Sequence, residues 1–489
     1  MVEEVNMKKN GLFKVILIVI GGLLLVSGVL GILGYFIPAL DGKFTIIPIG
    51  NVVINFVQSF YYFFDTVVYL LVLGAFYGVL NEVAAYKKLI DNVSTKIKTH
   101  GKLFVFIVTA LFAIFTFVTG QVGVLLVFVP FLATIIFALG YDKLVVISST
   151  IISMLIGLMS GIYVTFRDPN GYYGYSATTI EGLLGLDLYA NLLPKLILLV
   201  LGTALLIFFI NRHINGVKDK KVKYELNESN EVAVSEVTSN YKNIKTWPMI
   251  VILSLILVLL ILGYMPWNTL FGIECFDKFN EWLLGIKIGE FSILSNLVSN
   301  NIVSFGNWAS LGNYMSVIIT LLVFTIIIKF VYKVKFNDVI TNFVNGAKKV
   351  IPMMLLVVLS YAILVSAYNH GFMQSIITWI NDLLGINVGT TAIVSGLGTL
   401  LHSDLYYTVA GVFMTLTSNI TDESLYSICA LTFQTVYGLV SMIAPTSLLV
   451  IFAVKYFDVP YTSFVKYIWR FILMLFLLIL LVLLVLALI

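Results

Sequence analysis

Residues 103–138 read LFVFIVTALFAIFTFVTGQVGVLLVFVPFLATIIFA, without one charged side chain. A helix needs about 20 such residues to cross roughly 30 Å of hydrocarbon. This stretch is interrupted halfway, at Thr119-Gly120-Gln121-Val122-Gly123, and each arm of about 15 residues falls short of a full crossing. A second stretch, 389–418, breaks in the same way at Leu401-His402-Ser403-Asp404. Two short, interrupted apolar segments in corresponding positions are the pattern of re-entrant hairpins that enter a bilayer and return.

The rest of the chain places these hairpins in a membrane. It has 489 residues, 60% hydrophobic and 11% charged, with a mean hydropathy of +1.03. A soluble domain is about half apolar and about a quarter charged, so soluble enzymes, nucleic-acid binders and secreted disulfide scaffolds are excluded. Cys275 and Cys429 are the only cysteines, too few for a disulfide framework or a metal cage. Nine full spans are expected, at 12–36, 63–81, 143–165, 190–210, 248–266, 312–328, 350–368, 424–455 and 464–489. The first follows Lys8, Lys9 and Lys14 and is too long for the apolar region of a signal peptide, so it reads as uncleaved.

Charge sets the orientation, because cytoplasmic loops carry the excess of Lys and Arg. With the N-terminus inside and both hairpins returning, all but five of the 29 basic residues face the cytoplasm. The five are Lys43, Arg167, Lys195, Lys278 and Lys287. A single hairpin that crossed would reverse every later loop and erase this bias. The hydrophilic stretch 211–247 reads as a cytoplasmic linker, and 267–311, with Trp267, Trp282 and Trp308, as an interfacial outer segment.

The chain also resembles itself. Asn51-Val-Val-Ile-Asn-Phe-Val-Gln matches Asp338-Val-Ile-Thr-Asn-Phe-Val-Asn, and Ile156-Gly157-Leu158-Met159-Ser160 matches Tyr437-Gly438-Leu439-Val440-Ser441. Asn55/Asn342 and Gly157/Gly438 carry the evidence, since apolar matches are common in spans. An odd number of spans lies ahead of the second copy and inverts it, the symmetry used for alternating access. The expectation is an all-α polytopic fold of about nine transmembrane helices and two re-entrant hairpins in an inverted-topology repeat. Its parts are a first repeat at 1–210, a linker at 211–247, a connecting span and outer segment at 248–311, and a second repeat at 312–489.

Certain residues then look familiar. Gly74-Ala75-Phe76-Tyr77-Gly78-Val79-Leu80-Asn81 and Gly140-Tyr141-Asp142 resemble the DcuC/YfcC-like anaerobic carriers of the ion transporter superfamily. So do Phe433-Gln434, Pro445-Thr446-Ser447 and Val459-Pro460-Tyr461. The resemblance covers about 60–165 and 350 to the end. It implies uptake or exchange of small dicarboxylates, or, as in some relatives, exchange of arginine for ornithine. Related p-aminobenzoyl-glutamate carriers have nine spans and two hairpins and form dimers, so a homodimer joins the lipid bilayer and a small-molecule substrate as an expected partner. In the family pattern an acidic residue and an asparagine stand where this chain has Tyr437 and Ser441.

A carrier forms no covalent bonds, so its site is a set of dipoles matched to a cargo. Unpaired backbone groups are tolerated at membrane depth only against protein or water, which directs attention to four breaks. They are the two hairpin tips, Ser160-Gly161 and Ala444-Pro445-Thr446. Pro445 lacks an N–H and clashes with the preceding turn, opening span 424–455. The half-helix that follows presents free N–H groups and a partial positive end to an anion. Thr446 and Ser447 add hydroxyls there. The candidate binding residues are thus Thr119, Gly120, Gln121, Ser160, Gly161, Ser403, Asp404, Gln434, Tyr437, Ser441, Pro445, Thr446 and Ser447. Asp404 is the acidic residue placed deepest, and mid-membrane charge defaults to function. Asp65 and Glu82 read as wet span ends, and His402 as a satisfied polar neighbour of Asp404. No Lys or Arg lies in a broken segment, which inclines the reading from dicarboxylates towards amino acids.

The classes that compete are a channel and a membrane-embedded enzyme. A channel needs no inverted repeat. An intramembrane enzyme needs a dyad or metal cluster, and His100, His213, His370 and His402 are scattered. No Gly-x-x-x-x-Gly-Lys-Ser/Thr loop is present to bind nucleotide. The expectation is a secondary carrier in the plasma membrane, with no catalytic residue, metal site, nucleic-acid partner or cofactor; whether sodium or a proton couples to it, the sequence leaves open.

Overall fold

The computed structural model describes residues 11–167, 177–219, 244–297, 299, 302–311, 314–418, 420 and 422–488. They form an all-α polytopic membrane protein, and its only described strands are two short antiparallel ladders, Thr165–Arg167 with Ala177–Thr179 and Lys287–Ile288 with Phe291–Ser292. In chain order the first half holds α1 (Gly11–Phe36), α2 (Ile49–Tyr62), α3 (Phe64–Leu80), α4 (Ala84–Ile97), α5 (Gly101–Thr119), α6 (Val129–Ala138), α7 (Lys143–Ser160) and α8 (Leu192–Lys218). After α9 (Trp247–Tyr264) come α10 (Met315–Val331), α11 (Phe336–Asn369), α12 (Phe372–Leu384), α13 (Val388–Leu401), α14 (Leu405–Thr417), α15 (Tyr426–Ser441), α16 (Leu448–Tyr456) and α17 (Tyr461–Leu488).

Seven described stretches are long and apolar enough to cross a bilayer: α1, α4 with α5, α7, α8, α9, α11 and α17. The pair α2–α3 passes the same test together but is bent by 65°. α10, at 17 residues, is shorter, and span 424–455 is divided into α15 and α16. Burial sorts the elements. α7 is fully buried over its apolar window and α11 mostly so, while α1 and α17 leave most of theirs exposed, as helices against lipid do.

Both interrupted stretches fold back. A Cβ on Gly101, at the start of α5, would stand 3.0 Å from the Tyr141 hydroxyl just beyond α6. The two ends of 103–138 therefore lie side by side. In the second half, α12 packs on both α13 and α14, and a Cβ on Gly398 would meet the Val412 side chain. The returning arm of the first hairpin is tied to α3: Tyr69 Oη donates to the Gly123 carbonyl at 2.7 Å and Tyr77 Oη to Val127 at 2.6 Å. These hydroxyls satisfy carbonyls that have no water at that depth.

Three boundaries differ from the sequence expectation. Span 143–165 ends as a helix at Ser160, and the chain runs extended into Thr165. Its start is fixed by Asp142, which accepts the Val145 N–H at 2.9 Å and pairs with His213 Nε2 at 2.7 Å. The linker begins later than 211, because α8 continues to Lys218 with His213 and Ile214 buried; residues 220–243 of it lie outside the described set. Finally, the amphipathic segment ahead of span 350–368 is continuous with it, a single 34-residue α11 carrying Pro352 inside. Lys195, read as an outer-loop cation, is also fully buried, with Glu181 at 2.6 Å.

The two halves meet along α3 and α11. A Cβ on Gly78 would come within 2.7 Å of Gly346 Cα and collide with the Asn342 carbonyl. Gly346 faces Gly74 and Gly78 from the other side. Small residues let backbones approach this closely where the hydrophobic effect offers no drive.

Candidate functional site

The hairpin tips owe their position to local backbone chemistry. Gly120 ends α5 in the left-handed region, with φ of +67°, a conformation that L side chains resist. A Cβ there would stand 2.7 Å from both the Tyr163 carbonyl oxygen and Val164 Cα. The tip thus nestles against the extended segment that follows α7. That segment answers in kind: the Ile162 N–H donates to the Phe117 carbonyl at 2.9 Å. Gln434 on α15 closes the same break from the other half, its Nε2 donating to the carbonyls of Leu158 at 3.0 Å and Gly161 at 2.8 Å. The second break is braced by Tyr461 Oη, which donates to the Ile443 carbonyl at 2.6 Å, and by Thr446 Oγ1, which donates to Leu400 at 3.2 Å.

These breaks surround one cavity of about 510 Å³. Gly120 and Gln121 reach it from the first hairpin, Ser403 and Asp404 from the second, and Tyr437, Ser441, Thr446 and Ser447 from the broken span. Eight of the residues expected from the sequence are thus brought together. The other five are not among its lining residues. Thr119 is turned back on its own helix, donating to Phe115 and accepting from the Gln121 N–H. Ser160 donates to the Ile156 carbonyl at 2.7 Å. Gly161, Gln434 and Pro445 shape the breaks from behind.

Asp404 caps α14, with Oδ1 accepting the Tyr407 N–H at 3.3 Å and Oδ2 accepting from Tyr361 Oη at 3.2 Å. The Tyr361 ring stacks on Phe63, centroids 3.5 Å apart. His402 is 4% exposed, and its Nδ1 accepts the Asp404 backbone N–H at 2.9 Å. The hydrogen of the neutral ring is therefore on Nε2, and Nε2 has no partner among the described residues. The expectation of a satisfied histidine holds for one nitrogen only. Ser403 Oγ and Ser441 Oγ are likewise buried without a partner. The first turn of α16, behind Ser447, receives no side-chain cap.

Asp65 stands in the first turn of α3, half-buried, at the span end where the sequence puts it. It also lines the same cavity, which the sequence reading does not anticipate. Its Oδ1 accepts the Thr66 N–H at 2.7 Å. Tyr62, Tyr314, Tyr361, Tyr406 and Tyr407 join the wall as well. No periodicity marks these aromatics in an apolar helix; the polar pair Asp65-Thr66 inside an aromatic run was the available signal. Among the described residues, no Lys or Arg lines the cavity. The arrangement offers hydroxyl, imidazole and backbone N–H donors on one hand and two carboxylates on the other.

The family model for the C4-dicarboxylate anaerobic carriers (DcuC) matches residues 56–488. No curated protein and no solved structure matches the chain.

Proposed function

This chain belongs to the C4-dicarboxylate anaerobic carrier family and is a multi-pass membrane transporter, and we propose that it moves a small C4-dicarboxylate by alternating access as a secondary carrier. One observation carries this reading: both hairpin tips and a broken span, drawn from the two halves of the chain, share a single polar cavity. Carriers built from inverted repeats bind their cargo at such a meeting of broken helices. The arginine–ornithine alternative finds no support in the family match.

The inverted repeat is part of the proposal, and reciprocal contacts support it. Asn55 Nδ2 donates to Ser366 Oγ at 2.9 Å; with Asn342 taken as the copy of Asn55, the corresponding partner falls at Val79, and Asn342 does lie against Gly78. α5 packs on α7 as α13 packs on α15, while α3–α11 and α7–α15 pair across the centre. Contacts that recur with the halves exchanged are what a two-fold axis produces. We place nine spans and two hairpins around that axis, with repeats at 1–210 and 312–489, the N-terminus cytoplasmic, the protein in the plasma membrane and two copies in the working unit.

In the binding step, a substrate carboxylate takes the hydroxyls of Ser403 and Ser441, His402 Nε2–H, and the uncapped start of α16, where helix N–H groups and the helix dipole favour an anion. All are neutral donors. They hold a carboxylate without the depth of well that a fixed cation imposes, which suits release on the far side. The reading is tested by uptake of labelled succinate and fumarate into proteoliposomes, with and without counter-substrate and with imposed sodium or proton gradients. Saturable uptake accelerated by internal substrate or by an ion gradient is the expected result. Uptake proportional to concentration, or none for any dicarboxylate, would refute it.

A further inference from the structure

The cavity has donors for a dicarboxylate but, among the described residues, carries two carboxylates of its own and no fixed cation. With both acids ionised, a dicarboxylate beside Asp65 and Asp404 would bring four negative charges into one cavity. Each extra like charge at about 4 Å is opposed by several kcal/mol where the effective dielectric is about 20. Positive charge, as a proton on one of the acids or as a charge on the cargo itself, must therefore accompany the substrate.

The walls indicate its kind. Six tyrosines (62, 314, 361, 406, 407 and 437) and Phe63 line the space. Ring faces attract an ammonium through their quadrupole, whereas a small hard metal ion prefers a full shell of oxygens. The donor side is independently in place, since Ser441, 1% exposed, and His402, 4% exposed, line the same cavity and hold buried polar atoms without a partner among the described residues. Carboxylate acceptors, aromatic rings and neutral donors together make a site for a zwitterion.

Resting on the carrier reading above, we propose that the preferred cargo is a C4-dicarboxylate bearing an ammonium group, its nitrogen held by Asp65 and Asp404 and its carboxylates by His402, Ser403, Ser441 and the start of α16. The two acids come from different halves of the chain, so the ammonium bridges the halves when both close on it. Unsubstituted dicarboxylates use the same donors but leave the two carboxylates facing them.

The test is competition in proteoliposomes containing the full-length protein. Uptake of labelled succinate is measured against unlabelled aspartate, succinate and fumarate, with thermal shift of the detergent-purified protein by aspartate and by succinate alongside. Aspartate is expected to compete at least tenfold better than succinate and to give the larger thermal shift. Asp65→Asn and Asp404→Asn keep the shape, and asparagine still caps a helix; each is expected to reduce the aspartate preference at least tenfold while strengthening succinate binding. Equal or better competition by succinate would overturn the proposal, and that wild-type comparison needs no variant to fold. So would succinate uptake that follows a proton or sodium gradient and loses this dependence in Asp404→Asn, for the positive charge is then an ion. Absence of any dicarboxylate uptake would instead strike at the carrier reading itself.

Discussion

At the scale of single residues, Lys195 and Glu181 show how a buried charge is tolerated. The pair is 2.6 Å apart with both side chains almost wholly enclosed. Removing one partner strands the other charge, at about 3–5 kcal/mol, whereas replacing both with apolar groups of similar volume is often neutral or stabilising. Lys195→Met and Glu181→Leu alone should therefore each lower the melting temperature in detergent markedly. The double variant should recover most of that loss. Additive losses in the double variant would show that the two side chains act independently. The same scale explains why the cavity position of Asp65 is not legible in the sequence. Its neighbours along the chain are aromatic and apolar, and nothing local says that a bend will carry it into a cavity formed by residues some 340 positions away, such as Asp404 and Tyr407.

Among the elements, the hairpins were the most legible and the aromatic lining the least. Gly120-Gln121 and His402-Ser403-Asp404 interrupt long apolar runs, and the physics of unsatisfied backbone in lipid leaves few outcomes for such a sequence. The tyrosines on α11 and at the head of α10 sit in runs that any buried helix shares, so only tertiary packing distinguishes lining from core. The hairpin tip also gives a sharp prediction. Gly120→Val asks a β-branched residue to adopt φ of +67° and drives side-chain atoms into the backbone of Tyr163 and Val164. The left-handed conformation alone opposes this by about 1–2 kcal/mol, and overpacking adds about 1–3 kcal/mol. Uptake should fall at least tenfold and thermal stability should drop. Wild-type behaviour of Gly120→Val would mean the tip does not rest on the extended segment after α7.

For the molecule as a whole, the proposed orientation rests on where the basic residues lie, and a native side chain can report it. Cys275 is exposed, in the segment between α9 and α10, while Cys429 is buried. A membrane-impermeant maleimide added to intact cells should label Cys275, and Cys275→Ser should abolish the signal. Labelling only after permeabilisation would reverse the assigned topology and with it the sidedness of both hairpins. The overall class was readable because lipid admits so few architectures. The arrangement of helices around the cavity was not, since it depends on packing angles such as the 65° between α2 and α3.

The seam between Gly78 and Gly346 has a consequence of a different kind. Every amino-acid replacement reached from a glycine codon by one base change brings at least a Cβ, and here a Cβ meets backbone rather than a yielding side chain. Neither position has an amino-acid replacement that leaves the contact intact, and no change at one is relieved by shrinking the other, which is already hydrogen. The seam is thus a genetic dead end: only synonymous changes at these two codons leave the two halves as close as they are.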